Sequence, residues 1–293
     1  MSYIIAADSG ANLTNEFIKE NNITVIPLSF FMNGKEYIGV YDENNDYKDF
    51  YDTLRRGTAA TTSQINPEKY REYFEPHLKN GHDVIYIGIS SGVSGCINSA
   101  NIAANLLMQE YPERKIFIVD SLGASSGIFP LVLSAVRSRQ SGIDTEACFQ
   151  ALNRLRHNIM QIFTVGNLMH LRRSGRVSTA TAVIGTALGI KPILKGDKDG
   201  KIVVCDKVRG RKHVLTHLQK VYKELSKNSG FPVCISHCDC PDDAKLLEKL
   251  IKEITPAAEV LTAVHEPVTG IHIGPDSLAL YFLGDENVRE KSV

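Results

Sequence analysis

The sequence predicts an α/β fold with two lobes, in which a mostly parallel sheet flanked by helices forms the N-terminal lobe. Short apolar runs alternate with amphipathic stretches through the first half of the chain, a pattern typical of parallel strands joined by helices. The second half repeats this alternation, which indicates a second α/β lobe. The chain has 293 residues, near the size at which one hydrophobic core divides into two.

The composition is that of an ordinary globular protein and excludes several functional classes. The 33 lysines and arginines balance 33 aspartates and glutamates, which argues against a general nucleic-acid binder because such binding depends on phosphate neutralisation. No apolar run is long enough for stable membrane insertion. The first apolar run lacks a preceding basic region, and the six cysteines are few for this length. We therefore expect a cytoplasmic protein with free thiols.

Residues 1–158 are expected to form the N-terminal lobe. Asn33-Gly34 predicts a hairpin turn, and Pro67 favours the first position of a helix. The predicted strands are Tyr3–Ala7, Thr24–Phe31, Asp83–Ile89 and Lys115–Asp120. The predicted helices are Asn15–Glu20, Pro67 to about Asn80, Ser94–Tyr111, Gly127–Ser141 and Asp144–Asn158.

Residues 159–293 are expected to form the C-terminal lobe. The segment Asp197-Lys198-Asp199-Gly200 predicts a hairpin turn between two of its strands. The predicted strands are Ile159–Val165, Ile190–Leu194, Lys201–Lys207, Phe231–His237 and Ser277–Leu283. The predicted helices are Leu168–Arg173, one near Ala180–Leu188, Val214–Ser226 and Asp242–Ile254.

Four segments rich in Ser, Thr and Gly are candidates for a binding site, because ligands of open parallel sheets bind beyond the carboxyl ends of the strands. These segments are residues 8–14, Thr61–Gln64, Ser90–Gly95 and Asp120–Gly127. Hydroxyls and backbone N–H groups at helix N-termini favour an anion. The loops contain neither Lys nor Arg, and the sequence has no dinucleotide or P-loop phosphate motif. This pattern favours a single carboxylate over a nucleotide.

A serine hydrolase is the alternative. Gly88-Ile89-Ser90-Ser91-Gly92 matches the nucleophile-elbow pattern and lies between a predicted strand and a predicted helix. Its triad would need an acid and a histidine downstream, for example Asp120 and His272. Against this interpretation, a second glycine-containing turn follows Ser90, so the predicted helix begins only at Ser94.

A zinc site is a weak candidate. The spacing of Cys234, Cys238 and Cys240, together with His237, matches that of zinc ligands only loosely, since a second ligand pair is missing.

Taken in order, the motifs of the chain resemble the DegV family of fatty-acid-binding proteins, which includes the lipid-carrying subunits of bacterial fatty-acid kinase. The resemblance covers a single DegV-type domain over about residues 3–284. The motifs are Asp8-Ser9, Thr62-Ser63-Gln64, Ser90–Gly95, Val119-Asp120-Ser121, Leu171–Ser178, Ile190–Leu194, Lys207–Lys212 and His272–Pro275.

The resemblance implies a carrier rather than an enzyme, with no cofactor. Its ligand would be a long-chain fatty acid such as palmitate, stearate or oleate, buried in a tunnel between the lobes. Thr62 and Ser94 would bind the carboxylate, the Gly95 N–H would add a donor, and His272 would lie beside the same head group. A separate ATP-dependent kinase subunit would phosphorylate the bound carboxyl group to an acyl-phosphate.

Two further groups of candidates concern a partner and the tunnel. Basic residues cluster around Arg173 and around Arg209 and Arg211, and we expect these three to contact a partner or a phosphate. The expected tunnel lining is Ile97, Ala100, Ile128, Phe129, Phe163, Val165, Met169, Val183, Ile184 and Leu188.

Overall fold

A computed structural model describes residues 3–177, 189–227 and 229–293 of the chain. The strands are β1 (Tyr3–Asp8), β2 (Ile23–Ile26), β3 (Leu28–Met32), β4 (Lys35–Gly39), β5 (Ala60–Ser63), β6 (Asp83–Gly88), β7 (Ile116–Asp120), β8 (Ile159–Thr164), β9 (Ile190–Gly196), β10 (Ile202–Arg209), β11 (Val233–His237), β12 (Val260–Val264) and β13 (Leu278–Leu283). The helices are α1 (Asn15–Glu20), α2 (Lys48–Arg55), α3 (Pro67–Lys79), α4 (Cys96–Glu110), α5 (Phe129–Gln140), α6 (Thr145–Leu155), α7 (Met169–Arg173), α8 (Arg211–Leu225), α9 (Pro241–Ile254) and α10 (Pro267–Ile273). The helix predicted near Ala180–Leu188 lies outside the described residues.

The N-terminal lobe contains a parallel four-stranded sheet of order β2-β1-β6-β7. Helices cover both of its faces. Tyr86 on β6 bonds Tyr70 of α3 through their hydroxyls, at 2.8 Å. Tyr3 on β1, whose register places it on the opposite face, donates to the carbonyl of Ala135 on α5 at 3.4 Å. The predicted α/β class and the parallel sheet flanked by helices are confirmed.

A second, antiparallel sheet of order β4-β3-β5 lies in the same half of the chain. The run predicted as one strand, Thr24–Phe31, divides at Pro27 into β2 and β3, which belong to different sheets. Proline has no backbone N–H to continue a ladder. The prediction of a loop at Thr61–Gln64 was also wrong. Its first three residues belong to β5, where Thr62 pairs with Phe30. β-Branched threonines favour such a strand.

The third sheet is six-stranded, of order β10-β9-β8-β13-β11-β12, and only β11 and β12 run parallel among its neighbouring pairs. Helices α8 and α9 pack on each other and share a hydrophobic core with this sheet. The first strand of this sheet along the chain, β8, begins at Ile159, which is the first residue of the predicted C-terminal lobe. Helix α10, however, belongs to that same part of the sequence and packs on β3 and β5 of the N-terminal part. The division at 158/159 stays a prediction.

A buried carboxylate fixes the end of β1. Asp8 is fully buried, and its oxygens accept from the backbone N–H groups of Gly10 (3.1 Å) and Ile89 (2.8 Å) and from the Tyr86 hydroxyl (3.1 Å). These bonds join the ends of β1 and β6, where two of the predicted binding loops begin. Burial nevertheless raises the pKa of Asp8 to about 6, and the three hydrogen bonds only partly oppose that shift.

We predict that Asp8→Asn changes the pH dependence of stability. Because the pKa of Asp8 is higher in the folded protein than in the unfolded chain, the wild type loses stability as pH rises from about 4 to 6, by on the order of 2–3 kcal/mol. The variant lacks this loss. Denaturant unfolding at several pH values measures it, with exposed Asp49→Asn as the control. Parallel wild-type and Asp8→Asn curves would contradict the assignment.

Candidate functional site

A cavity of about 220 Å³ lies between the six-stranded sheet and the N-terminal sheets. Its polar end is lined by Thr62 of β5, Ser94 and Gly95 before α4, Arg176 after α7, and His272 of α10. The structure therefore brings together the four residues predicted to bind a carboxylate. They come from segments up to 210 residues apart in the chain.

The Thr62 hydroxyl and the Nε2 atom of His272 are 2.9 Å apart. Burial, with a smaller contribution from the positive charge of Arg176, lowers the pKa of His272 to about 4. The imidazole is therefore neutral near pH 7. Its Nδ1 atom is buried and has no hydrogen-bond partner among the described residues. A neutral imidazole paired with a hydroxyl can rearrange its donors and acceptors around an incoming ligand.

The loop after β6 supplies the second half of the polar end. Ser94 closes a turn by donating its N–H to the carbonyl of Ser90 at 3.0 Å, and α4 begins two residues later. The free N–H groups of a helix N-terminus favour an anion. A Cβ atom on Gly95 would lie only 2.2 Å from the side-chain oxygen of Gln64, so a larger residue here would require the Gln64 amide to move.

Arg176 is a lining residue to which the sequence analysis gave no role; it belongs to the basic cluster around Arg173. Its Nε donates to the carbonyl of Val93 at 3.1 Å, which holds the guanidinium against the 90–95 loop. Burial lowers the pKa of Arg176, but an arginine stays charged near neutral pH. The four loops contain neither Lys nor Arg, and this charge reaches the cavity from a distant segment of the chain.

A second, surface cavity of about 680 Å³ adjoins the first and shares Thr62, Arg176 and His272 with it. Arg173 lines this second cavity, together with Arg55. Two of the predicted head-group residues, Thr62 and His272, thus lie together with Arg176 between a mainly apolar inner cavity and a more polar outer one.

The structure does not bring Arg209 and Arg211 to either cavity. Arg209 is exposed at the end of β10. Arg211 begins α8 and forms an ion pair with Asp243 at 2.7 Å. Their predicted contact with a partner or a phosphate stays a prediction.

The rest of the inner cavity is mainly apolar, but its lining differs from the predicted set. Among the predicted residues that the structure describes, only Phe163 is found there. The structure places Ile97, Ala100, Ile128, Phe129 and Val165 in or against hydrophobic cores and leaves Met169 exposed, while Val183, Ile184 and Leu188 lie outside the described residues. The observed apolar lining is Leu28, Ile89, Val93, Leu122, Ala124, Phe163, Ile202, Val268, Ile273 and Ala279. Apolarity alone does not distinguish a core position from a cavity wall.

The geometry does not support the hydrolase alternative. The Ser90 hydroxyl donates to the carbonyl of Gly200 at 2.9 Å and accepts from the Gly92 N–H. Asp120 accepts from Ser91, and His272 pairs with Thr62, so the proposed triad does not form. A nucleophilic serine needs a base within hydrogen-bond reach.

Within residues 3–177, 189–227 and 229–293, no group of three potential metal ligands occurs. None of the helices described is both long enough and apolar enough to cross a membrane.

Comparisons with known proteins agree on one family. A sequence model described as "Uncharacterised protein, DegV family" matches residues 2–285. A DegV domain-containing protein of Clostridium perfringens is 34% identical over 284 residues, covering 97% of this chain and 98% of the relative.

Solved structures of the same family have a similar fold. A DegV family protein from Thermus thermophilus, described as fatty-acid-binding, has a TM-score of 0.86 and 26% identity, covering 97% of this chain and 100% of its own. A fatty-acid-binding DegV protein from Streptococcus agalactiae has a TM-score of 0.86 and 25% identity, covering 97% of this chain and 99% of its own.

We predict that His272 titrates near pH 4 in the ligand-free protein and that Arg176→Gln raises this midpoint, because the variant removes a positive charge that disfavours the imidazolium. NMR of the imidazole nitrogens measures both values. Arg173→Gln is the matched control, since it removes a charge from the same segment without changing a group that lowers the pKa of His272. A wild-type midpoint near 6.5 would contradict the burial of this ring.

Proposed function

We propose that this chain, which belongs to the DegV family, binds a long-chain fatty acid such as palmitate, stearate or oleate as a carrier. The observation that carries the proposal is the inner cavity, whose mainly apolar lining also brings together Thr62, Ser94, Arg176 and His272. A fatty acid has the same division between its carboxylate and its acyl chain. The fatty-acid binding described for the Thermus and Streptococcus proteins supports the same ligand class here.

The acyl chain would provide most of the affinity. Removing a methylene from water contributes about 0.8 kcal/mol, so a chain of roughly fifteen methylenes gains on the order of 12 kcal/mol before the costs of ordering and association. Phe163, Ile202 and Val268 offer apolar surface for it. Such burial depends little on direction, so the polar end must determine which way the ligand lies.

The head group would be held by Thr62, Ser94, the Gly95 N–H and His272. A carboxylate cannot be buried without partners, and hydrogen bonds to an ionised group are about twice as strong as neutral ones. The charge of Arg176 adds electrostatic compensation. An anion here would also raise the pKa of His272 from its low ligand-free value, since a neighbouring negative charge favours the imidazolium.

We predict that Thr62→Val together with Ser94→Ala weakens fatty-acid binding roughly 10- to 100-fold, the loss expected for charge-assisted hydrogen bonds worth about 1.5–3 kcal/mol. Displacement of a fluorescent fatty acid measures the change. Thr61→Val is the matched control, because Thr61 is exposed on the same strand and does not line the inner cavity.

Equal affinity of the double variant and the wild type would overturn the head-group assignment. Native mass spectrometry of the wild-type protein provides an independent test of the function. A fatty acid should remain bound to the intact protein, and its absence under conditions of excess ligand would argue against the carrier role.

We further propose that the carrier presents the bound carboxyl group to an ATP-dependent fatty-acid kinase subunit, which forms an acyl-phosphate for lipid metabolism. The shared wall of Thr62, Arg176 and His272 supports this, since a carboxylate bound there lies next to the outer cavity. Arg173 in that cavity is suited to a partner or a transferred phosphate. Dependence on ATP is consistent with the predicted cytoplasmic location.

We predict that Arg173→Ala lowers acyl-phosphate formation with the kinase subunit and ATP at least tenfold, the effect expected for losing one charged phosphate or partner contact worth roughly 1.5–3 kcal/mol. Fatty-acid affinity should change less than twofold. Neighbouring Arg172→Ala, which is exposed and outside both cavities, is the control. Undiminished acyl-phosphate formation by Arg173→Ala would contradict this role.

A further inference from the structure

The six-stranded sheet ends in a strand with an open edge. Among the described strands, β12 pairs only with β11. At the ends of this ladder, the Glu259 carbonyl accepts from a β11 N–H at 2.8 Å, and the His265 N–H donates to a β11 carbonyl at 2.9 Å. The backbone groups of successive residues point alternately to the two sides of a strand. Those of Val260 and Thr262 therefore face away from β11.

The described part of the chain leaves most of this edge unpaired. The carbonyl of Val264, which also faces away from β11, accepts from the side-chain nitrogen of Asn12 at 3.1 Å. The remaining described residues supply no hydrogen-bond partner to the outward-facing backbone groups of Val260 and Thr262. A row of unpaired N–H and C=O groups on an edge strand is a template for a further strand.

The opposite edge of the same sheet is protected in a way that β12 is not. β10 contains Asp206, Lys207 and Arg209, and its register shifts between Val204 and Asp206. Charged residues and bulges are devices that prevent another chain from pairing with an edge. β12 has the sequence Val-Leu-Thr-Ala-Val, with neither a charge nor a proline. Its composition therefore does not oppose pairing with a further strand.

A cavity of about 590 Å³, here called the edge groove, runs along β12. All five residues of β12 line it, although neighbouring side chains of a strand point to opposite faces. The groove therefore lies beside the strand rather than over one face. Phe17 of α1 and Phe129 of α5, whose ring centres are 5.1 Å apart, add apolar lining. The edge groove shares no described lining residue with the inner or the outer cavity.

The charged lining of the edge groove is mainly acidic. Arg137, the one Lys or Arg among its described lining residues, already donates to the Gly230 carbonyl at 3.1 Å. Burial lowers the pKa of His237, so this lining imidazole is neutral near pH 7. Four exposed glutamates also line the groove: Glu16, Glu20, Glu43 and Glu259.

This charge decides which kind of chain fits beside β12. A second copy paired edge to edge would bring the same glutamates together, and like charges at an interface repel. We infer that the edge groove binds an extended, basic segment of another protein, which adds as a strand to β12. Its backbone would pair with Val260 and Thr262, its apolar side chains would contact Phe17 and Phe129, and its basic side chains would face the glutamates. The inference goes beyond the fatty-acid site and does not depend on it.

A fluorescent synthetic peptide of about eight residues, in which lysine and valine alternate, tests the inference on the wild-type protein. Such a peptide is long enough to span β12. We expect saturable binding at low ionic strength, measured by fluorescence polarisation. Replacing the lysines by glutamates, or methylating the backbone nitrogens, should each weaken binding at least tenfold. The inference is overturned if the parent peptide does not bind or if either altered peptide binds equally well.

Amide hydrogen exchange measured by NMR locates the bound peptide. In the protein alone, the N–H groups of Leu261 and Ala263 should be protected by β11, whereas those of Val260 and Thr262 should exchange faster. The peptide should slow exchange at Val260 and Thr262 at least tenfold. Peptide binding without this slowing would contradict strand addition. Protection that instead rises with protein concentration, in the absence of peptide, would show pairing with a second copy and overturn the proposed partner.

Thr262→Pro removes an outward-facing donor, and proline is tolerated on an edge strand where its nitrogen faces away from the ladder. This variant should bind the lysine–valine peptide at least tenfold more weakly and should retain its affinity for stearate. Thr262→Val is the matched control, since it keeps the backbone N–H. Undiminished peptide binding by Thr262→Pro would contradict the inference, and the peptide series on the wild type remains decisive if this variant does not fold.

Discussion

The contact between Thr62 and His272 is the interaction on which the site depends. It joins β5 of the small antiparallel sheet to α10, which follows most of the six-stranded sheet in the chain. The packing of α10 on β3 and β5 brings His272 to the other residues of the polar end. Thr62 and His272 also line both the inner and the outer cavity, so in the proposed function this pair would hold the carboxylate where it can be reached from the outer cavity.

This arrangement is suited to a carrier because the two parts of a fatty acid have opposite requirements. The acyl chain needs only a dry surface of sufficient length. The carboxylate needs several directed donors in a fixed place, since a buried charge without partners is unstable. In the proposed carrier, separating these requirements would let the inner cavity retain the chain while the head group stays next to the outer cavity.

Much of the fold could be predicted because it depends on local patterns. Continuous apolar runs fixed β1, β6 and β7 to within a residue or two, and Pro67 marked the start of α3 as expected. The residues predicted to bind a carboxylate also lie around one cavity. They were predicted from the resemblance to family motifs and not from their spacing in the sequence. Thr62 illustrates the limit: it was assigned to a loop because the partner strand β3 that makes it part of a sheet is distant in sequence.

The remaining features could not be read from local patterns. Arg176 lies in a basic stretch that resembles a solvated surface, and only the folded chain brings it to the cavity lining. The cavity lining has the same apolar character as the cores, so most of the predicted lining residues that the structure describes are core residues. The most direct test of the account is a crystal structure of the protein with stearate. It should show the carboxylate within hydrogen-bond distance of Thr62 and Ser94 and the chain passing Phe163; a carboxylate placed away from these residues, or a chain outside the inner cavity, would contradict it.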